Sequence, residues 1–210
     1  MTAVGLAFLV VEDHPLIGST IQRALARHGE TELVETRAQA LALIADGGFD
    51  GVVADVGLPD GSGFDVVREL KRVSPNVPVL ILSGEVDHGR LREADAHDAT
   101  YLLKPPAVSD LDRFANRVKE AAAIASERVD LLVDRWAERH TLSRAETAIL
   151  RIAAHGTRRS ELAEKRGVEP STVKKQVQFL LAKTGDESLQ ACVSRLLREA
   201  LIESDSTKIG

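Results

Sequence analysis

Up to about residue 107 the hydrophobic pattern alternates between two periods. Apolar runs of strand length occur at Leu6–Val11, Leu33–Val34, Gly51–Ala54, Val77–Leu82 and Tyr101–Leu103. Between them lie helical patterns at Leu16–Ala26, Ala38–Ala45, Phe64–Val73 and Arg90–Ala96. Short strands separated by helices read as βαβ units around a parallel sheet. Five strands and five helices predict an α/β doubly wound domain of flavodoxin-like order.

Beyond it the pattern is helical throughout. From Ser109 to His140 there is no Gly and no Pro. Leu111, Phe114, Val118, Ala122, Ala125, Val129, Leu132 and Trp136 step by threes and fours, the stripe of one amphipathic helix. Ser109, with Asp110 behind it, is the expected cap. The plainer reading is a last domain helix followed by an unrelated short linker helix. The sharper is one long helix joining the domains, with pairing to its copy as a short coiled coil a further expectation. From Leu142 onward a small all-α domain is predicted. Ser143 and Glu146 form a capping box, and Gly156, Gly167, Pro170 and Gly185 punctuate the helices. The last helix runs through Leu189, Val193, Leu196, Leu197 and Leu201. A short helix, a tight turn and a second helix with a basic face suggest helix-turn-helix DNA binding.

Composition sharpens this division. Aromatic residues make up only 3% of the 210 residues, so the cores must be aliphatic. The net charge of −5 conceals an asymmetry. Arg139 to Lys183 carries ten basic and four acidic residues, a local net of +6, which leaves −11 elsewhere. An acidic body with a basic segment implies two domains with different partners. No apolar run approaches a membrane span, and the first residues turn acidic too early for a signal peptide. With one cysteine, Cys192, there is no intramolecular disulfide. A cytoplasmic protein without membrane contact is expected.

Candidate chemistry collects at the predicted strand ends. Glu12 and Asp13 follow the first strand, Asp55 the third, Ser83 the fourth and Lys104 the fifth. Each has an ordinary explanation as a cap or turn residue. Jointly they place three carboxylates, a hydroxyl and an ammonium on the edge where such sheets bind ligands. Three carboxylates in one cleft repel, and a hard cation with oxygen ligands relieves that; Mg²⁺ fits best. A carboxylate beside such a cation can attack a phosphoryl donor, with Asp55 as the nucleophile and Ser83 able to donate to a phosphoryl oxygen.

The segments "VVEDHP", "ADVGLPDGSG", "LILSG" and "YLLKP", in this order, resemble the receiver domain of two-component response regulators. The resemblance implies that Asp55 accepts a phosphoryl group from a sensor histidine kinase. It implies that Glu12, Asp13 and Asp55 hold Mg²⁺ with the backbone carbonyl of Gly57, and that Lys104 pairs with the phosphoryl group. Ser83 becomes the switch hydroxyl, Tyr101 the aromatic that moves with it, and Lys104–Pro105 a cis peptide.

The last seventy residues resemble the LuxR/NarL-type four-helix DNA-binding domain, through Leu142, Glu146, Leu150, Gly156, Glu161, Leu162, Ala163 and Thr172–Val173–Lys174. On "STVKKQVQFLL", Val173, Val177, Leu180 and Leu181 share a face that should pack inward, and Ser171, Lys174, Lys175 and Gln178 lie on the other. By resemblance that other face enters the major groove, with Thr172 beside it and Arg158 and Arg159 suited to backbone contacts. A homodimer, at least when active, is expected; by resemblance the last helix is its surface, although the same residues also have to close the small core. The expected layout is a receiver over 1–120, a long helical linker over 109–140 continuing its last helix, and the DNA-binding domain over 141–204. Departures from family habit are His97 and Asp98 before the fifth strand, Gln176 and Thr184. The expected function is a phosphorylation-controlled transcription regulator and not an enzyme acting on other molecules. A phosphorylation-independent regulator with a degenerate receiver is the alternative. An aspartate-nucleophile phosphohydrolase ranks last, since Gly57 stands where a second Asp belongs.

Overall fold

The computed structural model describes residues 5–206, with side chains through residue 199. The chain divides between Ala123 and Ile124 into two compact units.

In the first unit, strands β1 (Leu6–Val11), β2 (Gly29–Val34), β3 (Gly51–Asp55), β6 (Val79–Ser83) and β7 (Ala99–Leu103) form a parallel sheet in the order β2-β1-β3-β6-β7. Strands β4 (Gly57–Leu58) and β5 (Gly61–Ser62) form a small antiparallel hairpin between β3 and α3. Helices α1 (Pro15–Leu25), α2 (Arg37–Asp46), α3 (Gly63–Val73), α4 (His88–Ala96) and the start of α5 (Val108–Arg139) cover the sheet. Alternation along each strand assigns the faces. Phe8, Val10, Val53, Leu80 and Leu82 pack with Ile21 and Leu25 of α1 and with Leu111, Phe114 and Val118 of α5. Leu9, Val11, Val52, Ala54, Val79 and Ile81 pack with Ala40, Ile44, Phe64, Val67, Leu70 and Ala94 of α2, α3 and α4. The doubly wound flavodoxin-like order expected from the pattern is observed.

Several boundaries differ from expectation. β2 starts at Gly29, four residues before its apolar pair, because an edge strand tolerates the exposed Glu30 and Glu32. The β4–β5 hairpin lies in the turn-rich stretch after Asp55, and its tip anchors α2: Asp60 accepts from Arg37 N at 2.7 Å and Ala38 N at 2.9 Å. Ser109 does not cap α5. The helix already includes Val108, and Asp110 instead accepts from Ala107 N at 3.2 Å.

α5 is continuous, as its lack of Gly and Pro predicted, but its stripe serves two cores. Leu111, Phe114 and Val118 belong to the first unit, while Leu132 and Trp136, with Val129 packed beside them, belong to the second. Ala125 is exposed. Most of the stripe is thus used within the chain, while Ile124 and Leu131 of the same helix stay exposed.

The second unit also contains α6 (Arg144–Ala154), a 3-10 turn (Arg159–Glu161), α7 (Leu162–Arg166), α8 (Pro170–Thr184) and α9 (Leu189–Ser206). The Ser143–Glu146 capping box forms, with Ser143 N donating to Glu146 Oε2 at 2.7 Å. Gly167 and Gly185 close α7 and α8 in the left-handed conformation that favours glycine. Trp136 is fully buried among Ile149, Leu150, Leu162, Val173, Val177, Leu180 and Leu196. Its indole nitrogen donates to Glu199 at 2.8 Å, and the Arg195 guanidinium stacks 4.4 Å over its ring. In α9, Leu189, Cys192 and Leu196 are buried, Val193 and Leu197 pack beside them, and the Leu201 side chain lies outside the described residues. Among the described residues no helix is long and apolar enough to cross a membrane.

Candidate functional site

Parallel strands bring their C-terminal ends to one edge of the sheet, and the chain order reverses between β1 and β3. Glu12 follows β1 and Asp55 ends β3, so the two carboxylates meet at that switch point. Both are buried, at 1% and 7% exposure, whereas Asp13 is exposed. Oxygens of Glu12, Asp13 and Asp55 lie within 4.8 Å of one another.

Lys104, just past β7, reaches across the end of β6 into this cluster. Its ammonium lies 2.6 Å from Glu12 Oε2 and 2.7 Å from Asp55 Oδ2. One positive charge against three carboxylates leaves the cleft net negative. Burial raises the Glu12 carboxyl above its ordinary range, and the Asp55 charge adds to this. Lys104 and the His14 amide oppose it. Glu12 Oε2 has close contact with the ammonium but no aligned hydrogen-bond donor. An all-oxygen donor set with residual negative charge fits a hard divalent cation. Gly57 sits in β4 two residues beyond Asp55, exposed, with open space where a Cβ would project.

Ser83 ends β6 and is buried. Its hydroxyl donates to the Glu85 carbonyl at 2.9 Å, and the Tyr101 hydroxyl donates to the same carbonyl at 2.9 Å. Arg90 of α4 lies 3.5 Å from Ser83 Oγ and pairs with the Glu85 carboxylate at 3.1 Å. The sequence reading missed Glu85 and Arg90; neither shows a periodic relation to Ser83, and only the loop's fold brings them together. The Lys104–Pro105 peptide is cis. Asp98 adopts φ 50, a conformation Asp tolerates better than most residues.

In the second unit, Arg158 and Arg159 are exposed at the 3-10 turn, and Ser171, Lys174, Lys175 and Gln178 are exposed on α8, with Thr172 half-buried. Val173, Val177 and Leu180 point into the core and Leu181 is half-buried. Some cations there are paired internally: Lys183 with Glu146 at 2.7 Å, Arg151 with Asp130 at 2.7 Å and Arg195 with Asp186 at 2.8 Å. Arg158, Arg159, Lys174 and Lys175 have no ion pair among the described residues. The 3-10 turn and α8 thus carry part of this unit's unpaired positive charge, and the exposed Arg128, Arg144, Lys165 and Arg198 carry more. Gln176 is half-buried and Thr184 buried. Burial pushes the Cys192 thiol up to about 12, which leaves it inert at neutral pH.

Residues 8–116 match the response regulator receiver domain family. The response regulator MprA of Mycobacterium ulcerans is 31% identical over 174 residues, covering 74% of this chain and 75% of that protein. The transcriptional regulatory protein TcrA of Mycobacterium tuberculosis is 34% identical over 152 residues, covering 69% and 59%. CusR, a transcriptional regulatory protein of Escherichia coli K12, is 29% identical over 137 residues, and the chain spans 60% of its length. Among solved structures, the chemotaxis protein CheY4 of Vibrio cholerae superposes with a TM-score of 0.50 at 28% identity. That match covers 54% of this chain and 98% of that one. A receiver domain protein of Clostridium thermocellum gives 0.53 at 27% identity, covering 57% and 98%. With its sheet order, its strand-end carboxylates and more than half of its length matched, the chain belongs to the response regulator receiver domain family.

Proposed function

We propose that this protein is a transcription regulator switched by phosphorylation of Asp55, and that its C-terminal helices form a LuxR/NarL-type helix-turn-helix domain. The observation that carries the first half is Asp55 itself. It is a buried carboxylate at the switch point of the sheet, inside a three-carboxylate cluster and 2.7 Å from an ammonium. An Asp55 carboxylate oxygen attacks the phosphorus of a phosphohistidine on a sensor histidine kinase. A P–O bond forms, the P–N bond breaks, and the departing imidazole takes up a proton. Glu12, Asp13, Asp55 and the Gly57 carbonyl are the groups that would hold Mg²⁺. When bound, that ion supplies charge neutralisation at the phosphoryl oxygens. Lys104 leaves its present carboxylate partners to pair with the phosphoryl group, and Ser83 leaves the Glu85 carbonyl to donate to it. Tyr101 shares that carbonyl, so the two hydroxyls are linked through one acceptor. The transfer is self-directed, which is why no external substrate is assigned.

For the second half, the support is the unneutralised cationic surface of Arg158, Arg159, Lys174 and Lys175 beside the exposed Ser171 and Gln178, with Thr172 half-buried between them. α8 lies in the major groove of double-stranded DNA, its lysines on phosphates or guanine edges and Gln178 on adenine. A homodimer of the phosphorylated form places two such helices about one helical turn apart, ~10 base pairs.

The test is intact mass after incubation with Mg²⁺ and a small-molecule phosphodonor, beside Asp55→Asn, followed by DNA binding of both forms. One phosphoryl adduct on the native chain alone, with tighter DNA binding, is expected. No adduct from either the phosphodonor or a kinase overturns the reading.

A further inference from the structure

Among the described residues Phe179 is the one exposed Phe, Tyr or Trp, with 61% of its surface open to water. It sits in the third turn of α8 and joins neither core. At 100° per residue, Ser171, Lys175, Gln178 and Ala182 form the centre of the solvent face of α8. Lys174 lies at one margin and Phe179 at the other. The helix hides Val173, Val177, Leu180 and Thr184 on its opposite side. Leaving a phenylalanine largely in water forgoes the gain of burying its ring, and an aromatic ring has no helix-propensity advantage to offset it. Phe8, Phe64, Phe114 and Trp136 are buried, and the half-buried Phe49 and Tyr101 pack against a core, so Phe179 is the ring without an internal role.

We infer that Phe179 reads a thymine methyl group in the major groove and so sets part of the operator specificity. This rests on the proposed placement of α8 in DNA. The occupant follows from charge and shape. The same face presents Lys174 and Lys175 with no acidic partner, and Arg158 and Arg159 lie one element away. Protein-binding patches are depleted in lysine at their centres, whereas a phosphate-flanked groove attracts it. Within the groove, the C5-methyl of thymine is the one apolar group on a base edge, and apolar side chains including Phe recognise it by contact. Gln178, next to Phe179, has the bidentate amide that pairs with adenine, so the two side chains together suit an A·T-containing step.

The experiment uses the full chain, treated with phosphodonor, and duplexes enriched from a randomised pool by the native protein. Each thymine of the enriched site is then replaced by uracil, which removes only the methyl group. At one position per half-site the native protein should lose about fourfold in affinity, the worth of one buried methyl-sized group. Phe179→Ala should bind the thymine duplex as weakly as the native protein binds the uracil one, and should not distinguish the two. Phe179→Leu should retain part of the discrimination. Because Phe179 is exposed, unchanged thermal unfolding of both variants guards against a folding artefact. If Phe179→Ala matches the native chain on both duplexes while Lys174→Ala and Lys175→Ala bind weakly, the inference fails and DNA binding by α8 stands. If the native chain enriches no duplex, the DNA-binding proposal fails and this inference with it.

Discussion

The Ser83 hydroxyl donates to the Glu85 carbonyl at 2.9 Å. The hydroxyl is thereby committed to its own loop, and that loop is tied to α4 by the Glu85–Arg90 ion pair. A phosphoryl group on Asp55 would compete with the Glu85 carbonyl for the same proton donor.

Ser83→Ala removes the donor from both arrangements. The hydrogen bond is worth about 0.5–1.5 kcal/mol to the loop, so stability should fall only slightly. Phosphoryl adduct should still form by intact mass, while the gain in DNA affinity on phosphodonor treatment should shrink. A full gain in the variant would remove Ser83 from the switch.

Glu12 carries a pH signature. Its carboxyl is raised on folding, chiefly by burial, so above its ordinary value of 4.5 the folded state binds the proton more tightly than the unfolded chain does. The sign follows directly: stability contributed by this group declines as pH rises from 4.5 toward its folded value. Glu12→Gln lacks that decline. Melting temperatures without divalent cations should therefore favour the variant progressively between pH 4 and pH 7. A gap that narrows over this range contradicts the assignment.

Trp136 makes the second unit dependent on α5. Its complete burial predicts a loss of about 3–5 kcal/mol for Trp136→Ala. A fragment of residues 141–210 lacks Leu132 and Trp136, and should show little cooperative unfolding by circular dichroism. A fragment of residues 124–210 should melt cooperatively. Equal melting of the two fragments would show that α5 is dispensable to that core.

Lys174 is exposed and has no ion pair among the described residues. If it meets a phosphate, Lys174→Ala should weaken binding to all duplexes alike and reduce the slope of log affinity against log salt by about one. An unaltered slope would assign Lys174 elsewhere.

Much of the first unit was legible because its signals are local. Strand and helix periods are properties of adjacent residues, and the polar residues at successive apolar-run ends lie at one sheet edge once the strands run parallel. That is how Glu12, Asp55, Ser83 and Lys104 could be named together. β2 was underestimated because an edge strand carries Glu30 and Glu32 on positions that a buried strand would fill with apolar groups.

What the sequence by itself determined was therefore the order of elements, the edge on which the chemistry collects and the residues that face inward on α8. Only the tertiary structure decided the partners. It set Lys104 between Glu12 and Asp55, 92 residues from the former, and closed Ser83 and Tyr101 onto one carbonyl of the intervening loop. It divided the α5 stripe between two cores, and it left Phe179 in water. A periodic stripe states that a face is apolar but not what covers it. Contacts between distant residues exist only after the strands and helices have taken their places.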